Sequence, residues 1–223
     1  MKADDASLHA RPGTASRHGP VGLQSLNAGN RRDSYCYVSR QYDPARPAPL
    51  VLLLHGAGGH AHHGLEILKH LADDHGLILV APASAGPTWD VIAESAYGAD
   101  VKMIDQSLEQ VFSQYTIDAA HIAVGGFSDG ASYALSLGIP NGDLFTHIVG
   151  FSPGFFVPRS PRGLPKIFIS HGIADKVLPI DLCSRKIVPR LEGSGYEVSY
   201  REFDDGHVIP PDIAGQAVDW FIR

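Results

Sequence analysis

Cysteine is nearly missing: Cys36 and Cys183 are the only two in 223 residues. Thiols so far apart in sequence read as reduced core residues, which excludes a small scaffold built on disulfides. Long apolar runs are missing too. A bilayer-spanning helix needs roughly 18 consecutive apolar residues, and runs such as Leu50 to Leu54 stop far short. The opening stretch MKADDASLHARPGTASRHGPVG has acids close behind Lys2 and no apolar segment, so a secretory signal is not expected and a cytoplasmic protein is. Basic residues are in deficit, with 18 Lys plus Arg against 24 Asp plus Glu and a formal net charge of -6. Without a clustered basic surface, neither nucleic acid nor a membrane is an expected partner.

What remains is an ordinary soluble composition, 44% hydrophobic and 19% charged, long enough for one substantial core. Residues 1–25, rich in Ala, Ser, Gly, Pro and His, are expected to form a flexible tail, and residues 26–223 a single domain. Apolar runs predict strands at Ser34 to Ser39, Leu50 to Leu54, Leu77 to Ala81, His121 to Gly125, His147 to Phe151, Lys166 to Ser170 and Glu197 to Phe203. Helical patterns lie between them, near residues 63–74, 99–115, 129–138, 180–192 and 212–222. Pro189 should kink or shorten the fourth, and Asp181 should cap it. This alternation implies βαβ crossovers and a mostly parallel sheet flanked by helices on both faces, with the first strand antiparallel at an edge. Functional loops in such a sheet gather at the carboxyl ends of the strands.

Two G-x-S-x-G matches compete, Gly126 to Gly130 and Gly150 to Gly154. Ser128 follows the strand HIAVGG and precedes a helical DGASYALSLG, the strand-turn-helix context of a nucleophile elbow, and the next N–H is that of Asp129. Ser152 is followed by Pro153, which has no N–H to donate and starts a Pro- and Gly-rich loop. Ser128 is therefore the candidate nucleophile.

A serine hydroxyl needs a base, and the base a carboxylate, in the chain order Ser, acid, His. The histidines after Ser128 are His147, His171 and His207. His147 begins a strand at the wrong end of the sheet. His171 ends a strand but precedes the best acid. His207, in the loop FDDGHVIPPD, fits the order. Asp175, in HGIADKVLP after a strand, is preferred as the acid over Asp181, Asp204 and Asp205, the last being close enough to His207 to tie down its turn. The glycine-rich LLLHGAGG offers a second oxyanion donor, for which the N–H of Ala57 is chosen. His60, His62 and His63 lack a carboxylate or cysteine partner, so no metal is expected. Trp89, in the loop after Ala81, and Phe155 are the candidate walls of a substrate pocket.

The motifs LLLHGAGG, GFSDGA, SHGIADKVLP and DDGHVIPP together resemble the phospholipase/carboxylesterase family of α/β-hydrolases, a likeness running from the region of residue 30 to the end. The resemblance implies an α/β-hydrolase sheet with little or no lid and no cofactor. It implies hydrolysis of carboxylic or thioesters by Ser128, Asp175 and His207, with Ala57 and Asp129 as oxyanion donors. Many members carry Gln after the serine where this chain has Asp129, whose carboxylate is expected to turn toward the first turn of its helix. A short-chain carboxylesterase is the leading expectation. A thioesterase or depolymerase-like enzyme, and a non-catalytic binding protein, are the alternatives. The oligomeric state is left open, a homodimer included.

Overall fold

The computed structural model describes residues 6–16, 18–26, 33–157 and 159–223. Eight strands form one sheet: β1 (Gly22–Leu26), β2 (Ser34–Val38), β3 (Ala48–Leu54), β4 (Ile78–Ala81), β5 (Ile117–Phe127), β6 (His147–Phe151), β7 (Lys166–Gly172) and β8 (Val198–Phe203). Their order across the sheet is β1-β2-β4-β3-β5-β6-β7-β8. Strand β2 runs antiparallel to both neighbours, and from β4 to β8 every pairing is parallel.

Among the described residues the α-helices are α1 (Ala61–Glu66), α2 (Lys69–Ala72), α3 (Asp90–Ala93), α4 (Ala99–Gln114), α5 (Asp129–Gly138), α6 (Ser184–Gly193) and, after the last strand, α7 (Pro211–Phe221). The continuous apolar run of β3 reflects burial on both faces. Leu50, Leu52 and Leu54 point into a core shared with Ile104 and Leu108 of α4, Leu135 of α5 and Leu191 of α6. Val51 and Leu53 point the other way, toward Leu65 of α1, Ala217 and Phe221 of α7. A two-residue side-chain period thus feeds two cores from one strand.

The expected N-terminal tail is corrected. Residues 22–26 form the edge strand β1, so β2 is antiparallel but not at the edge. Upstream, Leu8 is fully buried, its N–H donates to Asn141 Oδ1, and the N–H groups of His9 and Ala10 donate to Asp105 Oδ1 on α4. Individually weak Ala, Ser and Gly residues hide this docking, because their order comes from distant polar partners rather than local pattern.

Pro189 sits inside α6 on an exposed position, where the carbonyl it leaves unbonded one turn earlier can be hydrated. The helix starts at Ser184, and Asp181 pairs with Arg185 at 2.8 Å instead of capping it. Among the described residues no helix is long and apolar enough to cross a membrane.

Candidate active site

Strand order reverses at β3, with β4 on one side and β5 on the other, which opens a crevice above their carboxyl ends. Both halves of the candidate nucleophile and oxyanion machinery leave the sheet here. Leu54 and Gly126 are register partners, so HGAGG and GFSDG emerge side by side.

Ser128 stands between β5 and α5 with φ 58° and ψ -119°, a conformation that non-glycine residues rarely adopt. Such strain costs about 1–3 kcal/mol and persists only where surroundings enforce it. Gly130 permits it: a Cβ there would run into the carbonyl of Leu54, and one at Gly126 would lie 2.5 Å from the Gly130 carbonyl. The turn is pinned by the Ser128 N–H, which donates to Phe151 O at 2.9 Å, and by the Ser132 N–H, which donates to Ser128 O at 3.0 Å.

Ser152 has the same left-handed φ, 52°, yet it is fully buried, and the described residues of the loop after it form no helix. The two matches share a backbone sign, but only Ser128 is at the surface of the crevice, half-buried, at the head of a helix.

The candidate oxyanion loop follows β3. His55 is buried beneath it and in a fixed tautomer: its Nε2 accepts the Ser84 N–H at 3.0 Å, which leaves Nδ1 to donate to Gly56 O at 2.8 Å. Gly58 has φ +69°, and its N–H donates to Pro87 O at 2.7 Å; the Gly59 N–H donates to Gly56 O at 3.0 Å. Those neighbouring donors are engaged, while Ala57 is exposed. A Cβ on Gly56 would lie 3.5 Å from Ser128 Cβ, so this loop passes directly over the serine.

Asp175 and His207 come together because β7 and β8 continue to bond beyond their ends. The Ile173 N–H donates to Phe203 O at 2.9 Å and the Ala174 N–H to Asp205 O at 3.0 Å. A Cβ on Gly172 would collide with the carbonyls of Asp205 and Gly206, which shows how closely the two turns approach. His207 Nδ1 then donates to Asp175 Oδ2 at 2.6 Å, and the His207 ring packs on Phe127, the residue before Ser128, at a centroid distance of 4.6 Å.

Burial pushes the Asp175 carboxyl up, but the N–H groups of Leu178 and Val177 and the ring of His207 outweigh it and hold the group below the usual carboxylate range. Asp205 is exposed and its Oδ1 accepts the N–H of Gly206 in its own turn at 2.6 Å.

Two expectations are corrected. Trp89 is no pocket wall: it is fully buried, its Nε1–H donates to His55 O at 2.8 Å, and its ring stacks on Tyr133. Its indole braces the strand end under the oxyanion loop, a role invisible in a loop sequence because the partners lie 34 and 44 positions away. Asp129 does turn aside, but its Oδ2 accepts the Thr88 hydroxyl at 2.6 Å rather than a group in its own helix.

Phe155 is partly exposed in the loop after β6, at the same edge of the sheet. With it, Ile173, Val177 and Val208 are exposed apolar side chains on the loops that carry the acid and the base. The sequence signal for these three was their adjacency to Asp175 and His207. Among the described residues no group of three or more His, Cys, Asp or Glu could hold a metal, and the rings of His60 and His63 stack at 3.9 Å.

A mostly parallel sheet of this order, packed on both faces and carrying a strained serine at its central turn, defines an α/β-hydrolase. The family model described as phospholipase/carboxylesterase matches residues 90–222, more than half of the chain, and the chain belongs to that family. The match takes in Ser128, Asp175 and His207 but begins after Ala57. Among curated relatives, feruloyl esterase C of Emericella nidulans is 28% identical over 174 residues, 73% of this chain and 62% of the relative. A bifunctional acetylxylan esterase/xylanase of Neocallimastix patriciarum is 27% identical over 67% of this chain and 22% of its own length. This chain therefore spans less than two thirds of either relative. In fold it is similar to the carboxylesterase of Bacillus cereus, with TM-score 0.63, 19% identity and coverage of 86% of this chain and 94% of that one. It is also similar to a fluorophosphonate-binding serine hydrolase of Staphylococcus aureus, with TM-score 0.71, 13% identity and coverage of 92% and 100%.

Proposed function

We propose that this protein hydrolyses carboxylic esters through an acyl-enzyme on Ser128. The observation that carries the reading is the 2.6 Å bond from His207 to a buried, ionised Asp175, with the His207 ring packed on Phe127, the residue before a serine held at φ 58°. His207 Nε2 takes the proton as Ser128 Oγ attacks the ester carbonyl carbon, and Asp175 stabilises the imidazolium that forms. Negative charge moves onto the carbonyl oxygen, where the N–H groups of Ala57 and Asp129 receive it. The tetrahedral species collapses, the alcohol leaves with the proton from His207, and Ser128 keeps the acyl group. Water, deprotonated by the same histidine, then releases the acid.

Short acyl groups are the proposed substrates. Among the described residues the loops after β4 and β6 contain one short helix, α3, and no amphipathic segment long enough for a lid. A longer chain would leave methylenes in water, forfeiting about 0.8 kcal/mol for each. A second reading, an aromatic acyl ester, is favoured by the exposed Phe155, Val177 and Val208 and by the feruloyl esterase relative.

A fluorophosphonate probe should add one adduct, mapped to Ser128. Labelling elsewhere, or none on folded protein, would reject the mechanism. Comparing kcat/KM for p-nitrophenyl acetate, butyrate, octanoate and methyl ferulate separates the two acyl readings. A maximum at octanoate would reject both.

A further inference from the structure

We infer that His171 is a positioning residue for the acid and base, holding the Asp175 carboxylate from behind through its Nε2–H. This rests on the reading of Asp175 as the acid. His171 closes β7 and is fully buried. Its Nε2 lies 2.8 Å from Leu178 O and 3.3 Å from Asp175 Oδ2, while its Nδ1 lies 2.6 Å from the hydroxyl of Ser184. A carbonyl and a carboxylate both accept only, so Nε2 must carry the proton, which it donates to Leu178 O while the Asp175 carboxylate lies in electrostatic contact. Nδ1 is then the acceptor, and Ser184 donates to it.

The carboxylate is thereby held on both oxygens. Oδ1 accepts the N–H groups of Val177 at 2.8 Å and Leu178 at 2.9 Å, and Oδ2 accepts from His207 at 2.6 Å with His171 Nε2 in contact at 3.3 Å. A carboxylate with three hydrogen-bond donors and one further N–H contact in fixed places has one orientation left, the one that directs Oδ2 at the base. Burial lowers the proton affinity of His171 more than Leu178 O and Asp175 raise it, which keeps the ring neutral. It supplies a dipole without a second cation, so Asp175 keeps its negative charge for His207.

Other groups around the pair are accounted for. Glu202, opposite His171 in register on β8, is neutralised by Arg185 of α6 at 2.6 Å. Cys183, ahead of α6, has its thiol pushed up by burial and by Asp175 and stays protonated. Lys176, Asp204 and Asp205 are exposed in the flanking turns.

Removing the donor concentrates charge on Oδ2 and favours the imidazolium of His207. The test compares His171→Leu with His171→Gln, whose amide can place a donor near the lost Nε2–H. For His171→Leu, kcat should fall about tenfold with KM held within about twofold, and the acid limb of kcat/KM should move up by roughly half a pH unit. His171→Gln should return the limb toward its original position. A folded His171→Leu with an unmoved limb, or a limb that His171→Gln fails to restore, would overturn the proposal. Should the leucine variant not fold, two-bond proton–nitrogen correlations on the unaltered protein decide: a neutral Nε2–H tautomer of His171 across pH 5 to 8 is expected, and an Nδ1–H tautomer or a titrating ring refutes it. Asp175→Asn separates the two levels. If it keeps full activity, the reading of the acid falls and this proposal with it; if it is crippled while the His171 variants keep their limb, this proposal alone falls.

Discussion

The hydroxyl of Thr88 donates to Asp129 Oδ2 at 2.6 Å across 41 positions of sequence, tying the loop after β4 to the residue that follows the candidate nucleophile. The same loop accepts the Gly58 N–H through Pro87 O, so it touches both halves of the proposed oxyanion site. A carboxylate released from Thr88 would repel the developing oxyanion. Thr88→Val, similar in shape but without the donor, should lower kcat about tenfold, short of the 10²–10³ expected for losing an oxyanion donor outright. Adding Asp129→Asn should recover part of that loss, and a double variant worse than the single one would show that charge is not the cause.

Ser128→Ala should abolish p-nitrophenyl ester hydrolysis with folding intact, whereas Ser152→Ala should leave most activity. Ser152 is fully buried and Pro153 after it has no N–H, so it can neither reach substrate nor sit beside an oxyanion donor. Comparable losses in both folded variants, read by initial rates and circular dichroism, would reject the assignment.

The base must be neutral to accept the serine proton, so kcat/KM should rise with pH along an acid limb. Asp175 is held below its ordinary value of 3.8, so it stays ionised through that limb. Its contribution to stability is present above 3.8 and is lost as pH falls through the lower folded value. Asp175→Asn should cost orders of magnitude in kcat, about 10⁴ at the upper end, and Asp205→Asn much less. The reverse ranking in folded protein would move the acid to Asp205.

Asp100 gives the loop after β4 a pH dependence of opposite sign. Its carboxylate accepts the N–H groups of Ala85 and Asp90 at 2.7 Å each, while Asp90 accepts those of Gly98 and Asp100 and the hydroxyl of Tyr133. Burial, opposed by the Ala85 N–H and reinforced by Asp90, pushes Asp100 up to about 6 from 3.8. A raised carboxyl stabilises the fold fully below its unfolded value and loses that stabilisation as pH rises through about 6. Hydrogen-exchange protection of Ala85, Asp90 and Gly98, corrected for intrinsic rates, should therefore be higher at pH 5 than at pH 7.5. Equal protection at both would reject the coupling.

Several features were legible in the chain alone, because they depend on neighbours in sequence. Continuous apolar runs located central strands such as β3 and β4, since burial on both faces suppresses alternation. Glycines around Ser128 marked its turn, and Pro153 disqualified Ser152 through a missing N–H. The order of Ser128, Asp175 and His207 followed from which loops leave the carboxyl ends of parallel strands. Folding in three dimensions decided the rest. Strand β1 and the docking of Leu8 depend on Cys36 and Asn141, residues no local pattern links to them. Trp89 went to the core because its N–H met a carbonyl 34 residues away, and Asp129 was turned by Thr88. The second histidine on Asp175 was present in the motif SHGIAD, but only the packing of β7 against Ser184 and Leu178 fixed which nitrogen carries its proton. Hydrogen bonds are directional and short-ranged, so a sequence can supply the partners while the tertiary structure alone determines which of them meet.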